Sequence, residues 1–573
     1  MPTSFSTKAA FLCIFNTLLS ILLLAISCVF AQVQYDPSHC ALSSDFAACI
    51  VPPPDTDGDV ACLQSLTDAI TEYQLRSNDA PGTALYLQRN LTITRQVNFE
   101  TTTLEVIVFG CGHVVTCEGK VGSDGRPRQT GINIYGGISN TMGQNSFAET
   151  GGVQFADLTL TGCNKGIWVL LPTSASLTLL ENVHITKCSQ STGGNGGAVY
   201  TVGKLTVLNS TFDLNEARDQ GGALYSKNHM TVVNSVFQEN AAGGRGGACF
   251  SEGVMEVDNS TFEHNVAQLG GAIYGKDVSM VARSRFEFNV AGQDQGLNND
   301  VHSGSGGAIF GYGDGDIQNC TFMNNTASRY GGALRYLGNL SVNDTGFFNN
   351  TISFVTNDLD VLGGAIRVFW SLIVIGSTFI DNSVRDDGGA VFCENRVYAQ
   401  DCQFLNNVAG QSGGAIRARF VETVGGTFDN NTARDGGAMY STKVVELQAT
   451  SFSHNVATTA GGAVFLGDGG HLEACTFKAN IASIGAAVNS IGLKLTVRNS
   501  VMKQNSAPQQ GFVTAIMNHG QGTLELTNTS ILDNTAFDIG LVNSIDLLMV
   551  DCLVSGNVVT GNGPHISASH YVR

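Results

Sequence analysis

The chain is 573 residues long, 43% hydrophobic and only 14% charged, with a formal net charge of −18 at neutral pH. That balance excludes nucleic acid and anionic membrane surfaces as main partners, and it suits an extracellular protein that must stay soluble. The length would suggest several domains, but a long uninterrupted repeat argues for one elongated domain instead.

Residues 1–31 read as a signal peptide. Lys8 precedes an apolar run from Ala9 to Phe30, interrupted by Asn16, Ser20 and Ser27, and Val29-Phe30-Ala31 forms a small-residue cleavage site before Gln32. Uncleaved, the run is long enough to act as an anchor. No later stretch approaches a membrane span, so the expected location is secreted or at the cell surface. Membrane contact is expected only through an uncleaved signal or an anchor missing from this sequence.

Residues 32–130 read as a cap followed by the first coils. Cys62 to Gln74 has the pattern of a short amphipathic helix with Leu63, Leu66, Ile70 and Tyr73 on one side, the lid that the first coil of a stacked fold needs. Strand-like runs follow at Ala84–Leu87, Leu91–Thr94 and Leu104–Phe109. Cys40, Cys49, Cys62, Cys111 and Cys117 cluster here and are expected to form disulfides. Five is odd, so one is left over or pairs elsewhere.

From residue 131 to 560, and most clearly from 190 to 480, one unit recurs every 23 to 25 residues. It opens Gly-Gly-Ala-apolar, passes through an apolar alternation and ends Phe-x-x-Asn, as in GGAVYTVGKLTVLNSTFDLN from Gly196 to Asn215. Eleven Gly-Gly-Ala triplets begin between residues 196 and 461, with a worn copy at Gly485. The closing Asn is invariant: Asn215, Asn240, Asn265, Asn289, Asn325, Asn350, Asn382, Asn407, Asn431, Asn455 and Asn480, continued by Asn505, Asn534 and Asn557. Three short strands with turns use up ~25 residues, one rung of a β-solenoid, whereas propeller blades run to ~40. The expected fold is all-β: a single-stranded right-handed parallel β-helix of about 14 or more coils, with identical slots stacked at about 4.8 Å and a rod at least ~65 Å long. A buried Asn column can then satisfy itself, each amide donating to one neighbouring coil and accepting from the other.

These repeats resemble the passenger domains of the chlamydial polymorphic outer membrane proteins and, more widely, pectin-lyase-like β-helix proteins. The resemblance implies a cell-surface adhesive passenger. In that family a carboxy-terminal β-barrel anchors the passenger, and this sequence ends at Arg573. The tail, residues 561–573, shows no helical lid, so either a partner covers the last coil or the chain belongs to a longer protein.

Four later cysteines, Cys320, Cys402, Cys475 and Cys552, stand two residues before the Phe slot, where other coils place Ser or Thr. Neighbours in that set are three coils apart, ~14 Å, beyond disulfide reach, so buried free thiols are expected. Ten Asn-x-Ser/Thr sequons occur, several produced by the repeat itself; glycosylation follows only in a eukaryotic source.

The second position after Gly-Gly-Ala reads Tyr200, Tyr225, Phe250, Tyr274, Phe310, Arg335, Arg367, Phe392, Arg417, Tyr440 and Phe465. Arg in a dry bore would be prohibitive, so this column is expected to face outward. There it offers a ladder of stacking and cation–π contacts to a glycan or a protein partner, or simply stiffens the sheet. Two insertions, Gly292–Ser305 and Thr351–Leu362, leave the same turn two coils apart and carry Asp294, Asp300, His302, Asp358 and Asp360. A Ca²⁺ site there is conceivable; no other cofactor or metal is expected. Asp386-Asp387 and Gly110-Cys111-Gly112-His113 lack the surrounding carboxylates, His or Lys of a polysaccharide lyase or hydrolase. The reading is therefore a non-catalytic adhesive or structural surface protein, with a glycan-binding or polysaccharide-degrading β-helix as the alternative.

Overall fold

A computed structural model describes residues 36–572, apart from 43, 54–58, 80–82, 102–104, 119–129, 137–151, 172–175, 191–193, 293–303, 354–359, 508–515, 519–521, 537–540 and 561–565. Residues 1–31, expected to be a signal peptide, thus lie outside the described residues. The fold is a single-stranded right-handed parallel β-helix of about 16 turns, with one small α-helix among the described residues, and it divides into two compact units.

The first unit comprises residues up to 191 with 196–215 and 225–231. It opens on a short antiparallel element in which Ala48–Val51 pairs with Ala61–Leu63 and with Ala84–Leu87. The helix runs Leu66–Asp79, later and longer than the sequence pattern, because Leu63 belongs to a strand. It buries Ala69, Ile70 and Tyr73, and the Tyr73 hydroxyl accepts a hydrogen bond from the Ile107 amide at 2.9 Å. Coils follow in parallel register: Ala84–Leu87 beside Glu105–Phe109, then Gly152–Ala156, Leu177–Glu181 and Lys204–Leu208. Disulfides Cys40–Cys111, Cys49–Cys62 and Cys117–Cys163 staple this unit. The odd cysteine of the cap thus reaches one coil onward, since Thr116 pairs with Thr161 and carries Cys117 up to Cys163.

The second unit comprises 192–195, 216–224 and residues from 232 onward. Its coils keep strict register across both insertions: Phe286 pairs with Phe322 and Phe347 with Phe379. The phenylalanine rings stack face to face in the bore, 4.7 Å apart at Phe237–Phe262 and 5.0 Å at Phe452–Phe477, all fully buried. Beside them the asparagines form a hydrogen-bonded ladder. The backbone N–H and the Nδ2 of Asn240 both donate to Asn265 Oδ1, at 3.1 and 3.0 Å, and the Nδ2 of Asn265 also donates to the Phe237 carbonyl at 3.0 Å. This arrangement repeats to Asn557. Each side-chain carbonyl therefore takes two donors from one coil and each amide gives two, so no polar atom of the column is left dry and unpaired.

Two left-handed residues per coil bend the chain around the Phe strand, for example Asn319 and Asn324 at φ 50° and 54°. Short polar side chains tolerate that conformation; Ala479 at φ 54° does not benefit in the same way. Ala479→Asn is expected to raise the unfolding free energy of this unit by about 0.5 kcal/mol, read from the urea midpoint.

The free thiols Cys320, Cys402 and Cys475 are buried, while Cys552 is half-buried. Burial pushes the Cys320 thiol up to about 12 and those of Cys402 and Cys475 to about 11, so they act as small apolar residues. In the tail, Ile566–Val572 adds a strand parallel to Val542–Val550.

Candidate functional site

The expected outward ladder lies off the phenylalanine core, but most of it is not exposed, and that expectation is corrected. Tyr200, Tyr225, Phe250, Tyr274, Phe310, Arg335, Arg367 and Phe392 are buried; only Arg417, Tyr440 and Phe465 are half-buried. Two things cover the column. Its members cover each other, as in Tyr200–Tyr225, Phe250–Tyr274 and Tyr440–Phe465, stacked at 5.0, 5.2 and 4.6 Å. The residue just before each Gly-Gly then folds alongside: the Arg245 guanidinium lies 5.1 Å from the Tyr274 ring centre, and Asp387 meets Arg417 at 3.5 Å. Avoiding the bore does not place a side chain in water when its three-residue strand is flanked on both sides.

Of the insertion residues, Asp294, Asp300, His302 and Asp358 lie outside the described residues, and Asp360 is exposed. Among the described residues no group of three or more His, Cys, Asp or Glu is placed to hold a metal ion. Asp386 accepts from Arg385 at 2.7 and 3.0 Å and from Gln411 at 3.2 Å, so it is already neutralised.

One stretch of the ladder forms the floor of a depression in the surface. This open depression of about 810 Å³ is lined by Tyr312, Asp314, Arg329, Tyr330, Arg335, Leu337, Asn339, Arg367, Phe369 and Trp370. Its floor is cationic and its rim aromatic. Arg335 and Arg367 are register partners on adjacent strands, so like charges stand side by side. The Tyr330 ring serves both, with guanidinium carbons 5.6 Å and 3.9 Å from its centre, and Arg329 approaches the same ring at 4.7 Å.

The two floor arginines differ in their neutralisation. Arg367 pairs with Glu394 at 2.6 Å. Arg335 is 1% exposed and makes no salt bridge among the described residues, Glu394 acting on it only at longer range; its Nη1 donates to the Tyr336 carbonyl at 3.3 Å and its Nε has no hydrogen-bond partner among them. Burial, with the neighbouring charge of Arg367 second, pulls the Arg335 guanidinium down to about 9, which still leaves it cationic at neutral pH. The Nε of Arg367 is likewise buried without a partner.

The rim stands in the turn after the Gly-Gly-Ala strand. Tyr312, Phe369 and Trp370 are 52%, 44% and 55% exposed, and Phe369 and Trp370 meet edge to face at 5.6 Å. Asp314 accepts two hydrogen bonds from Asn339, at 2.7 and 3.2 Å. The sequence pattern singles out Arg335 and Arg367 but not the rim. The signal was there: large rings at 312, 369 and 370 in a turn where other coils place small or charged residues such as Ser226-Lys227-Asn228.

Residues 259–276, 319–335 and 401–419 match the family model described as the Chlamydia polymorphic membrane protein repeat, and the chain carries repeats of that kind. The second matched segment contributes Arg329, Tyr330 and Arg335 to the depression. Among solved structures, that of the PL6 family alginate lyase AlyGC is similar at 11% sequence identity and a TM-score of 0.26, covering 87% of this chain and 99% of that chain. No curated protein matches the chain.

Proposed function

We propose that this chain is a non-catalytic cell-surface β-helix protein that acts in adhesion, through the depression between Tyr312 and Trp370. One observation carries the reading: a chain with repeats of a membrane-protein family sets three exposed rings above two buried arginines. Exposed aromatic side chains on a soluble surface mark places where a partner docks, and binding residues gather in turns held by a rigid scaffold. Catalysis is not part of the reading, because Asp386 and Asp387 are committed to Arg385 and Arg417.

Beads coated with residues 32–573 should bind cultured animal cells saturably, and soluble protein should compete. Binding no greater than that of albumin-coated beads would sink the reading. Release of reducing ends from a polysaccharide panel would overturn its non-catalytic part.

A further inference from the structure

We infer that the depression binds an acidic saccharide: a pyranose whose carboxylate or sulfate sits on Arg335 and Arg367 while its ring stacks on the exposed aromatic rim. This deepens the adhesion reading and rests on it for the choice of site.

The charge balance comes first. Two guanidiniums stand side by side in register, and among the described residues one carboxylate, Glu394, pairs with Arg367 and reaches Arg335 only at longer range. A buried cation without a counter-ion is costly, and an apolar side chain such as the aromatics elsewhere in the column would fill the slot more cheaply. An anion brought by a ligand into the depression supplies the missing partner, through charge-assisted hydrogen bonds to the two guanidiniums that line it. The chain as a whole is strongly acidic, so attraction of an anion here is a property of this place and not of the overall field.

The rim selects the class of anion. Free phosphate or sulfate would use the arginines and leave Tyr312, Phe369 and Trp370 in water. A pyranose presents C–H faces that pack on such rings, and its hydroxyls find partners in Asp314 and Asn339. The depression is open, which admits one residue of a chain with the rest passing over it. An acidic peptide would satisfy the arginines but has no rigid apolar face for the rings.

Calorimetric titration of the purified chain tests this with four probes: 3′-sialyllactose, a heparin hexasaccharide, lactose and hexaglutamate. At least one acidic saccharide should bind about tenfold or more tighter than lactose, and which one binds tells carboxylate from sulfate. Arg335→Met should cost about tenfold or more while leaving the thermal midpoint unchanged or raised, as expected for removal of an unpaired buried charge. Trp370→Ala, at an exposed position, should also weaken binding about tenfold without affecting folding. The inference falls if neither acidic saccharide binds, if both variants bind like the parent, or if hexaglutamate binds as tightly as the saccharides. Cell adhesion persisting in the Arg335→Met variant would overturn the saccharide site alone and leave the adhesion reading standing.

Discussion

Replacing Asn382 by alanine is expected to lower the unfolding free energy of the second unit by about 4 kcal/mol or more, since four buried hydrogen bonds are lost at once. The backbone N–H and Nδ2 of Asn350 lose their acceptor, at 3.0 and 3.1 Å. The Phe347 carbonyl and Asn407 Oδ1 each lose a donor at 3.0 Å. All of these atoms belong to fully buried residues, so water cannot step in without opening the coil. Asn382→Asp keeps the shape but places an acceptor-only group there, and should do no better. Ile373→Thr, at a 46% exposed position on a neighbouring strand, should change stability by less than about 0.5 kcal/mol. Urea unfolding followed by far-ultraviolet circular dichroism separates these outcomes. A shift for Asn382→Ala no larger than that of Ile373→Thr would mean that the ladder is not what ties the coils together.

The second large effect is expected at the second glycine of the doublet. A Cβ on Gly332 would lie 2.0 Å from the Gly364 carbonyl oxygen and 2.7 Å from the backbone N and O of Thr351. None of these can swing aside, because all belong to backbone. The preceding Gly331 holds φ at +61°, so the doublet answers two separate demands: a left-handed turn, then a close approach of adjacent coils. Gly332→Val should therefore push neighbouring rungs apart and cost about 4 kcal/mol or more, read as loss of soluble protein or collapse of the urea midpoint. A soluble variant with an unshifted midpoint would show that this spacing has slack.

Much of the architecture was legible because vertical neighbours face the same demand. A slot between two buried amides accepts little but another Asn, and a slot between two stacked rings favours another ring, so Asn240 and Phe237 foretold Asn265 and Phe262. The cap was less legible. Its helix begins at Leu66 because Ala61–Leu63 is drawn into antiparallel pairing, a tertiary contact that local periodicity does not contain. The Cys117–Cys163 bridge was hidden because the long connection between the two cysteines breaks the period that would have aligned them.

The candidate site was legible by half. The arginines broke an aromatic column and so stood out. Their burial did not follow, because it depends on Tyr330 and the flanking residues rather than on the strand that carries them. The rim lay in a turn with no column to compare against at a glance.

The ladder's donor and acceptor pattern is the same at every described step from Asn240 to Asn505. Excising one whole repeat, or duplicating it, would therefore join two surfaces that already fit. In-frame exchange of whole repeats would yield folded products of altered copy number, while a cut out of phase would strand a half-ladder. Descendants of such a gene are free to differ in how many repeats they carry and in what their turns display, but not in the phase of the unit.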